Sequence, residues 1–113
     1  MSQYIPRQGD IVWINLNPRI GHEQGGKRPA LIIWNDATLN AINGMSLVCS
    51  ITTTDNGFPL HVKLDSVSKN TTGFVQCEQL KVVDLISRNA EYKDRVSDEV
   101  LNRVLKIIQA TIK

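Results

Sequence analysis

A chain of 113 residues, 42% of them hydrophobic, has room for one domain with a packed core, spanning residues 1–113, and not for a second. Its 13 basic and 11 acidic residues leave a net charge of only +2, which excludes a uniformly basic surface; residues 61–113 hold nine of the basic side chains, and Lys27-Arg28 is the only basic pair of the first half. No apolar run approaches the ~20 residues of a bilayer-spanning helix, and Met1-Ser2-Gln3-Tyr4 is not the start of a signal peptide, so a cytoplasmic protein without membrane contact is expected.

Gly9-Asp10 opens the run Ile11-Val12-Trp13-Ile14-Asn15-Leu16, whose β-branched and aromatic residues predict a strand that ends at Asn17-Pro18. Residues 19–28 have no hydrophobic period and three glycines, which predicts a loop. Pro29 to Trp34 is apolar at nearly every position and predicts a strand covered on both faces. Asn35-Asp36 can cap a short helical turn over residues 37–42, closed by Asn43-Gly44. Met45 to Thr53 alternates, with Met45, Leu47, Cys49 and Ile51 on one face and Ser46, Val48, Ser50 and Thr52 on the other.

Asn56-Gly57 signals a hairpin turn. A fourth strand should follow, with Leu60, Val62 and Leu64 inward and His61 and Lys63 outward, His61 then being a surface residue. Residues 69–73 are a turn region, and Phe74 to Val83 supplies one or two more strands. At the end the period changes to helical. Ser97 is a candidate N-cap, Asp98 and Glu99 suit the positive end of the helix dipole, and Val96 with Leu101 suits a hydrophobic staple. Val100, Leu101, Val104, Leu105, Ile108 and Ile112 make one apolar stripe. The fold class is therefore mainly β with a C-terminal helix, a small and strongly curved β-barrel. Cys49 and Cys77 lie in strand-like runs without Cys-x-x-Cys spacing, which suits buried thiols and not a zinc site. Trp13 and Trp34, also in strands, suit the core or a dimer interface.

One segment is chemically unusual, Gly21-His22-Glu23-Gln24-Gly25-Gly26-Lys27-Arg28-Pro29. Paired glycines let backbone N–H groups approach an anion. Lys27 and Arg28 bring positive charge, Pro29 biases Arg28 toward an extended conformation, and Glu23 can hold a guanidinium in a bidentate pair. Spacing alone leaves two readings open, a phosphate site and a solvated loop with incidental charges.

The Gly9-Asp10-Ile11-Val12-Trp13 opening, the Gly21-to-Ala30 loop and the Ser50-Ile51-Thr52-Thr53 strand end resemble the MazF/PemK family of toxin endoribonucleases. The similarity continues through Gly73-Phe74-Val75, Cys77-Glu78-Gln79-Leu80 and Val83-Asp84 to the last helix. The Glu-Gln-Gly-Gly-x-Arg-Pro loop is the specific part. The resemblance implies an SH3-like barrel that forms homodimers and cuts single-stranded RNA at short sequences. It implies 2′,3′-cyclic phosphate and 5′-hydroxyl ends, no metal or other cofactor, and an antitoxin whose disordered acidic tail blocks the RNA groove. It places the essential arginine at Arg28, the essential strand-end threonine at Thr52, the loop glutamate at Glu23 and an RNA-contacting position at Gln79.

These residue types fit the reaction. The ribose 2′-OH is the nucleophile, so the protein has only to stabilise a phosphorane and move two protons. Arg28, planar and always charged, suits the first task, and Thr52 can donate its hydroxyl beside it. Glu23 is a candidate base or a structural partner of Arg28. His22 stands where many family members carry serine, and it could move a proton or stack on a base. For RNA binding, Gly25 and Lys27 offer contacts to phosphate, Phe58 offers a stacking ring, and Gln24, Thr53, Asn56 and Gln79 offer groups to base edges; each also fits a turn or barrel role. Two other functions compete. A gyrase-poisoning toxin on the same barrel depends on a tryptophan-containing C-terminal end, against which stands the ending Thr111-Ile112-Lys113. A non-catalytic SH3-like module would retain RNA without making new 5′-hydroxyl ends.

Overall fold

The computed structural model describes residues 4–15, 26–55 and 57–112. The β-branched stretches form β1 (Asp10–Asn15), β2 (Lys27–Ile32), β3 (Met45–Thr52), β4 (His61–Lys63), β5 (Phe74–Asp84) and β6 (Glu91–Arg95). Among the described residues two helices complete the fold, α1 (Asp36–Ala41) and α2 (Asp98–Ile112). The strands make one antiparallel sheet in the order β4-β5-β3-β2-β1-β6. Just past its two edge strands the sheet meets itself. Ser66 bridges Val96, the Val67 N–H donates to the Arg95 carbonyl at 2.7 Å, and the Ser97 N–H donates to the Asp65 carbonyl at 2.8 Å. These bonds satisfy backbone groups that an open edge would leave unpaired, and the sheet becomes a small curled barrel.

Alternation along the strands divides the core in two. Ile11, Leu31, Cys49, Ile51 and Val75 pack with Val100, Leu101, Val104 and Ile108 of α2. Their neighbours Val12, Ile14, Ala30, Ile32 and Val48 belong to a second cluster with Leu39 of α1 and Leu85. β2 is thus covered on both faces, as its continuous apolar run requires. The caps form as expected: Asn35 accepts the Thr38 N–H at 2.9 Å, and Ser97 Oγ accepts the Val100 N–H at 3.2 Å. Cys49 and Cys77 are buried free thiols, and burial pushes the Cys77 thiol up to about 11, so neither is a ready nucleophile.

Several expectations need correction. Lys27 and Arg28 are strand residues and not loop residues, because the β1–β2 ladder continues through Ile14↔Arg28 and Asn15↔Lys27; Ile33 and Trp34 fall outside β2. Gly57 does adopt a left-handed conformation (φ 70°), but β3 and β4 form no hairpin, since β5 lies between them and pairs with both. Phe74–Asp84 is a single strand whose register with β3 shifts between Cys49 and Ile51. β6 has the sequence Glu-Tyr-Lys-Asp-Arg and no apolar alternation to announce it. In α2, Ile112 is 76% exposed, because the helix runs beyond its packing partners, and Ile107 packs on the core where the stripe did not include it.

Candidate active site

Register decides which side chains gather. The β2–β3 ladder pairs Ile32 with Val48, Leu31 with Cys49 and Ala30 with Ser50. The ladder ends at Ala30↔Ser50, with Arg28 two residues beyond Ala30 on β2 and Thr52 two residues beyond Ser50 on β3. The β3–β5 ladder pairs Thr52 with Phe74, and the β4–β5 ladder pairs Lys63 with Phe74. Cross-strand partners share a face and neighbouring strands lie about 4.8 Å apart. Thr52, Phe74 and Lys63 therefore form a row across three strands, and Arg28, the β2 partner of Ile14 two residues beyond Ala30, extends it toward β1. The row continues the face that carries Ile14, Ala30 and Val48, beyond the edge of the second cluster, and its two cationic residues are exposed.

Local chemistry prepares Thr52. Its Oγ1 accepts the Thr54 N–H at 3.2 Å, which fixes the oxygen and leaves the hydroxyl hydrogen to donate. Gly73 lets β5 begin hard against this strand end. It sits at φ 118°, and a Cβ there would lie 2.3 Å from the Thr52 carbonyl oxygen. Only glycine fits both conditions.

The other predicted residues separate. His22, Glu23, Gln24, Gly25 and Asn56 lie outside the described residues. Lys27 is on the opposite face from Arg28; its ammonium lies 3.9 Å from Glu91 and 5.6 Å from the centre of the Trp13 ring. Lys93 approaches the same ring at 5.2 Å, so the half-buried Trp13 lies under two cations. Thr53 is exposed just past β3, Gln79 is exposed on β5, and Phe58 is 43% exposed. Among the described residues no three His, Cys, Asp or Glu side chains gather as metal ligands would. A cleft of about 370 Å³ lined by Leu39, Met45, Leu85 and Ile86 contains none of the residues named here, and a polymer can bind an open sheet face without such a cavity.

His61 corrects the sequence reading. It is on the predicted face, but its side chain is only 6% exposed. Its Nε2 lies 3.0 Å from Glu78 Oε2, and its ring meets Phe58 edge-on with centroids 5.2 Å apart. The expectation of a solvated histidine overlooked these neighbours, one of which, Phe58, comes from the segment between β3 and β4.

Residues 7–112 match the family described as PemK-like, MazF-like toxin of type II toxin-antitoxin system. The chain belongs to this family. It is 36% identical over 103 residues to the endoribonuclease PemK of Escherichia coli, covering 87% of this chain and 75% of that protein. It is 31% identical over 112 residues to the endoribonuclease toxin MazF of Escherichia coli strain K12, covering 99% and 98%. The crystal structure of MazF from Deinococcus radiodurans superposes with a TM-score of 0.86 at 33% identity, covering 97% of this chain and 98% of that one. A MazE–MazF complex from the same organism superposes with a TM-score of 0.83 at 33% identity, covering 97% of each chain.

In this toxin-family chain the sequence reading passed over Gly73, Phe74, Lys63 and Glu78 as site residues. Only the alternation around Val62 hinted that Lys63 shares a face with His61. No local pattern places Lys63 on the row of Arg28, since that depends on three ladders between distant segments. Among the described residues no helix is long and apolar enough to cross a membrane.

Proposed function

We propose that this toxin is an endoribonuclease that cuts single-stranded RNA on the Arg28–Thr52 row. The observation that supports the reading is that β2 and β3, paired as far as Ala30↔Ser50, carry just beyond that pair an exposed, always-charged guanidinium and a hydroxyl whose oxygen already accepts the Thr54 N–H. The relatives named as endoribonucleases support the reaction class.

In the proposed step the 2′-oxygen attacks the adjacent phosphorus, the O2′–P bond forms and the P–O5′ bond breaks. A 2′,3′-cyclic phosphate and a 5′-hydroxyl result. The 2′-OH proton leaves to a base and the departing O5′ takes up a proton; Glu23 and His22 are the candidates for these transfers. Arg28 neutralises the charge that grows on the equatorial phosphoryl oxygens, and Thr52 donates a hydrogen bond to one of them. Both groups do more for the phosphorane than for the ground state, which is what lowers a barrier. The reaction needs no metal in this scheme. The toxin acts in the cytoplasm as a homodimer at short sequences in messenger RNA, and a cognate antitoxin with an acidic disordered tail covers the same cationic face. The MazE–MazF complex of the Deinococcus radiodurans relative supports an antitoxin as partner.

A long unstructured RNA incubated with the protein in EDTA tests this. Wild type should yield cyclic-phosphate and 5′-hydroxyl ends at a small set of sequences, and Arg28→Ala and Thr52→Ala almost none. Intact RNA across diverse sequences would overturn the nuclease reading. Cleavage abolished by EDTA would overturn the metal-free step alone.

A further inference from the structure

Beside the Arg28–Thr52 row lies a second group of side chains that the reaction does not use. His61 and Gln76 are cross-strand partners on β4 and β5, two residues along from the Lys63↔Phe74 pair. Two residues of strand are about 7 Å, and two strand spacings separate β3 from β4. This group therefore meets a nucleotide near the cut and not the reacting phosphate.

Its hydrogen bonding is incomplete. His61 spends Nε2 on Glu78 at 3.0 Å, while among the described residues His61 Nδ1 and Gln76 Oε1 are buried without a hydrogen-bond partner. Glu78 is held through one oxygen yet its side chain is 26% exposed, and Phe58, a residue 43% exposed, meets the imidazole edge-on. An oriented carboxylate and an open aromatic ring are what a splayed base needs, one for its edge and one for its face.

We propose that Glu78 is a base-reading residue of the RNA face, that Phe58 supports the base it reads, and that His61 is the positioning residue that aims the carboxylate. This rests on the RNA-cutting reading above. The chemistry names the ligand class. An ionised carboxylate only accepts hydrogen bonds. Adenine, cytosine and guanine present an exocyclic amino group on the Watson–Crick edge, whereas uracil presents one N–H between two carbonyl oxygens that a carboxylate repels. The subsite should prefer an amino-bearing base and reject uracil. Its negative charge also keeps the phosphate backbone toward Arg28 and Lys63.

Cleavage of an RNA pool randomised around a cut site, with the ends sequenced, tests the proposal in four proteins. In wild type, one position near the cut should disfavour uracil by roughly tenfold or more in kcat/KM. Glu78→Gln, whose amide donates as well as accepts, should bring uracil within a few-fold at that position and leave the others unchanged. His61→Phe should relax the same position, and His61→Gln, whose amide N–H replaces the Nε2 donor, should restore the preference. Uracil tolerated everywhere by wild type, or a Glu78→Gln profile identical to wild type, would overturn the proposal. A folded wild type that cuts no member of the pool would overturn the RNA-cutting reading itself. Should His61→Phe fail to fold, as circular dichroism would show, the Glu78→Gln and His61→Gln proteins still decide the matter.

Discussion

Two polar regions of this barrel are built on opposite plans. Along the seam beside β6, charge is buried and saturated. The Asp94 carboxylate accepts from the backbone N–H groups of Ser68, Asn70 and Arg95 at 3.1, 3.1 and 2.7 Å and from the Thr71 hydroxyl at 3.3 Å. Asp10 accepts from the Tyr4 hydroxyl, the Arg7 N–H and the Arg95 guanidinium. On the Arg28 face Arg28 and Lys63 are exposed, and among the described residues His61 Nδ1 and Gln76 Oε1 are buried without a hydrogen-bond partner. Saturated groups hold the chain together and have nothing left for a ligand. Exposed side chains bury little surface on folding and can reach a ligand. The two regions should accordingly fail in different assays when they are cut.

The largest effect should come from the open face. Arg28→Ala should lower kcat/KM by about 10²–10³, the loss of a charge-stabilising donor worth roughly 2.7–4 kcal/mol in comparable sites. Its midpoint in a denaturant titration should stay close to wild type, because an exposed strand-end side chain contributes little to burial. A shifted midpoint would blur the contrast between the regions.

Asp94→Asn should show the reverse. Burial alone would disfavour the Asp94 charge, but hydrogen bonds from Ser68, Arg95 and Ser66 outweigh it and hold the carboxyl well below the usual carboxylate range. A group whose pKa is lower in the folded state adds stability above its unfolded pKa of about 3.9, and the addition fades as pH falls toward the folded value. Asp94→Asn should thus cost about 2–3 kcal/mol at pH 7, of the order measured for hydrogen bonds to charged groups. The gap to wild type should narrow steadily below pH 4 in denaturant titrations, while RNA cleavage per folded molecule at pH 7 stays near wild type. A gap that does not change with pH would assign the loss to packing.

Gly73 sits where the two plans meet. Gly73→Ala forces a methyl group against the Thr52 carbonyl at a left-handed φ, a strain of about 1–3 kcal/mol. Because the carbonyl that must yield belongs to Thr52, this variant alone should lose both stability and cleavage. A stability loss with normal cleavage would separate Thr52's position from the start of β5.

How much of this was legible in the sequence follows from the same physics. β1, β2 and β3 announce themselves through β-branched runs, and α2 through its stripe and the Ser97 cap, because burial of apolar faces drives those elements. β6 was invisible because its inward residue is Asp94, a charged side chain that only a ready-made set of donors allows to be buried. The Gly57 turn suggested a hairpin because turn chemistry is local, whereas the placing of β5 between β3 and β4 is not. The site divides likewise. Arg28 and Thr52 came from resemblance to a family, their mutual placement comes from register, and His61 read as surface because its cover, Phe58, is a tertiary neighbour.

The smallest predicted effect separates two adjacent residues of one strand. Lys27 and Arg28 look like a single basic pair in the sequence, yet the pleat sends them to opposite faces of β2. Lys27 lies over Trp13 and near Glu91, with its side chain 60% exposed. Exposed ion pairs and cation–π contacts contribute about 0–1 kcal/mol each, so Lys27→Ala should shift the denaturation midpoint only slightly. Its cleavage should also stay within a few-fold of wild type, because the ammonium is not on the row proposed to face the phosphorane. If Lys27→Ala instead loses cleavage nearly as Arg28→Ala does, RNA wraps the end of β2 and meets both faces, and the Trp13 cations become part of its path. Salt dependence distinguishes these outcomes. A lysine that contacts phosphate on a single strand contributes a slope of about 0.7 in log affinity against log salt, and one that only covers a tryptophan contributes none. Binding of an uncut oligonucleotide to Arg28→Ala with and without Lys27→Ala therefore measures whether the open region ends at Arg28 or continues around the strand.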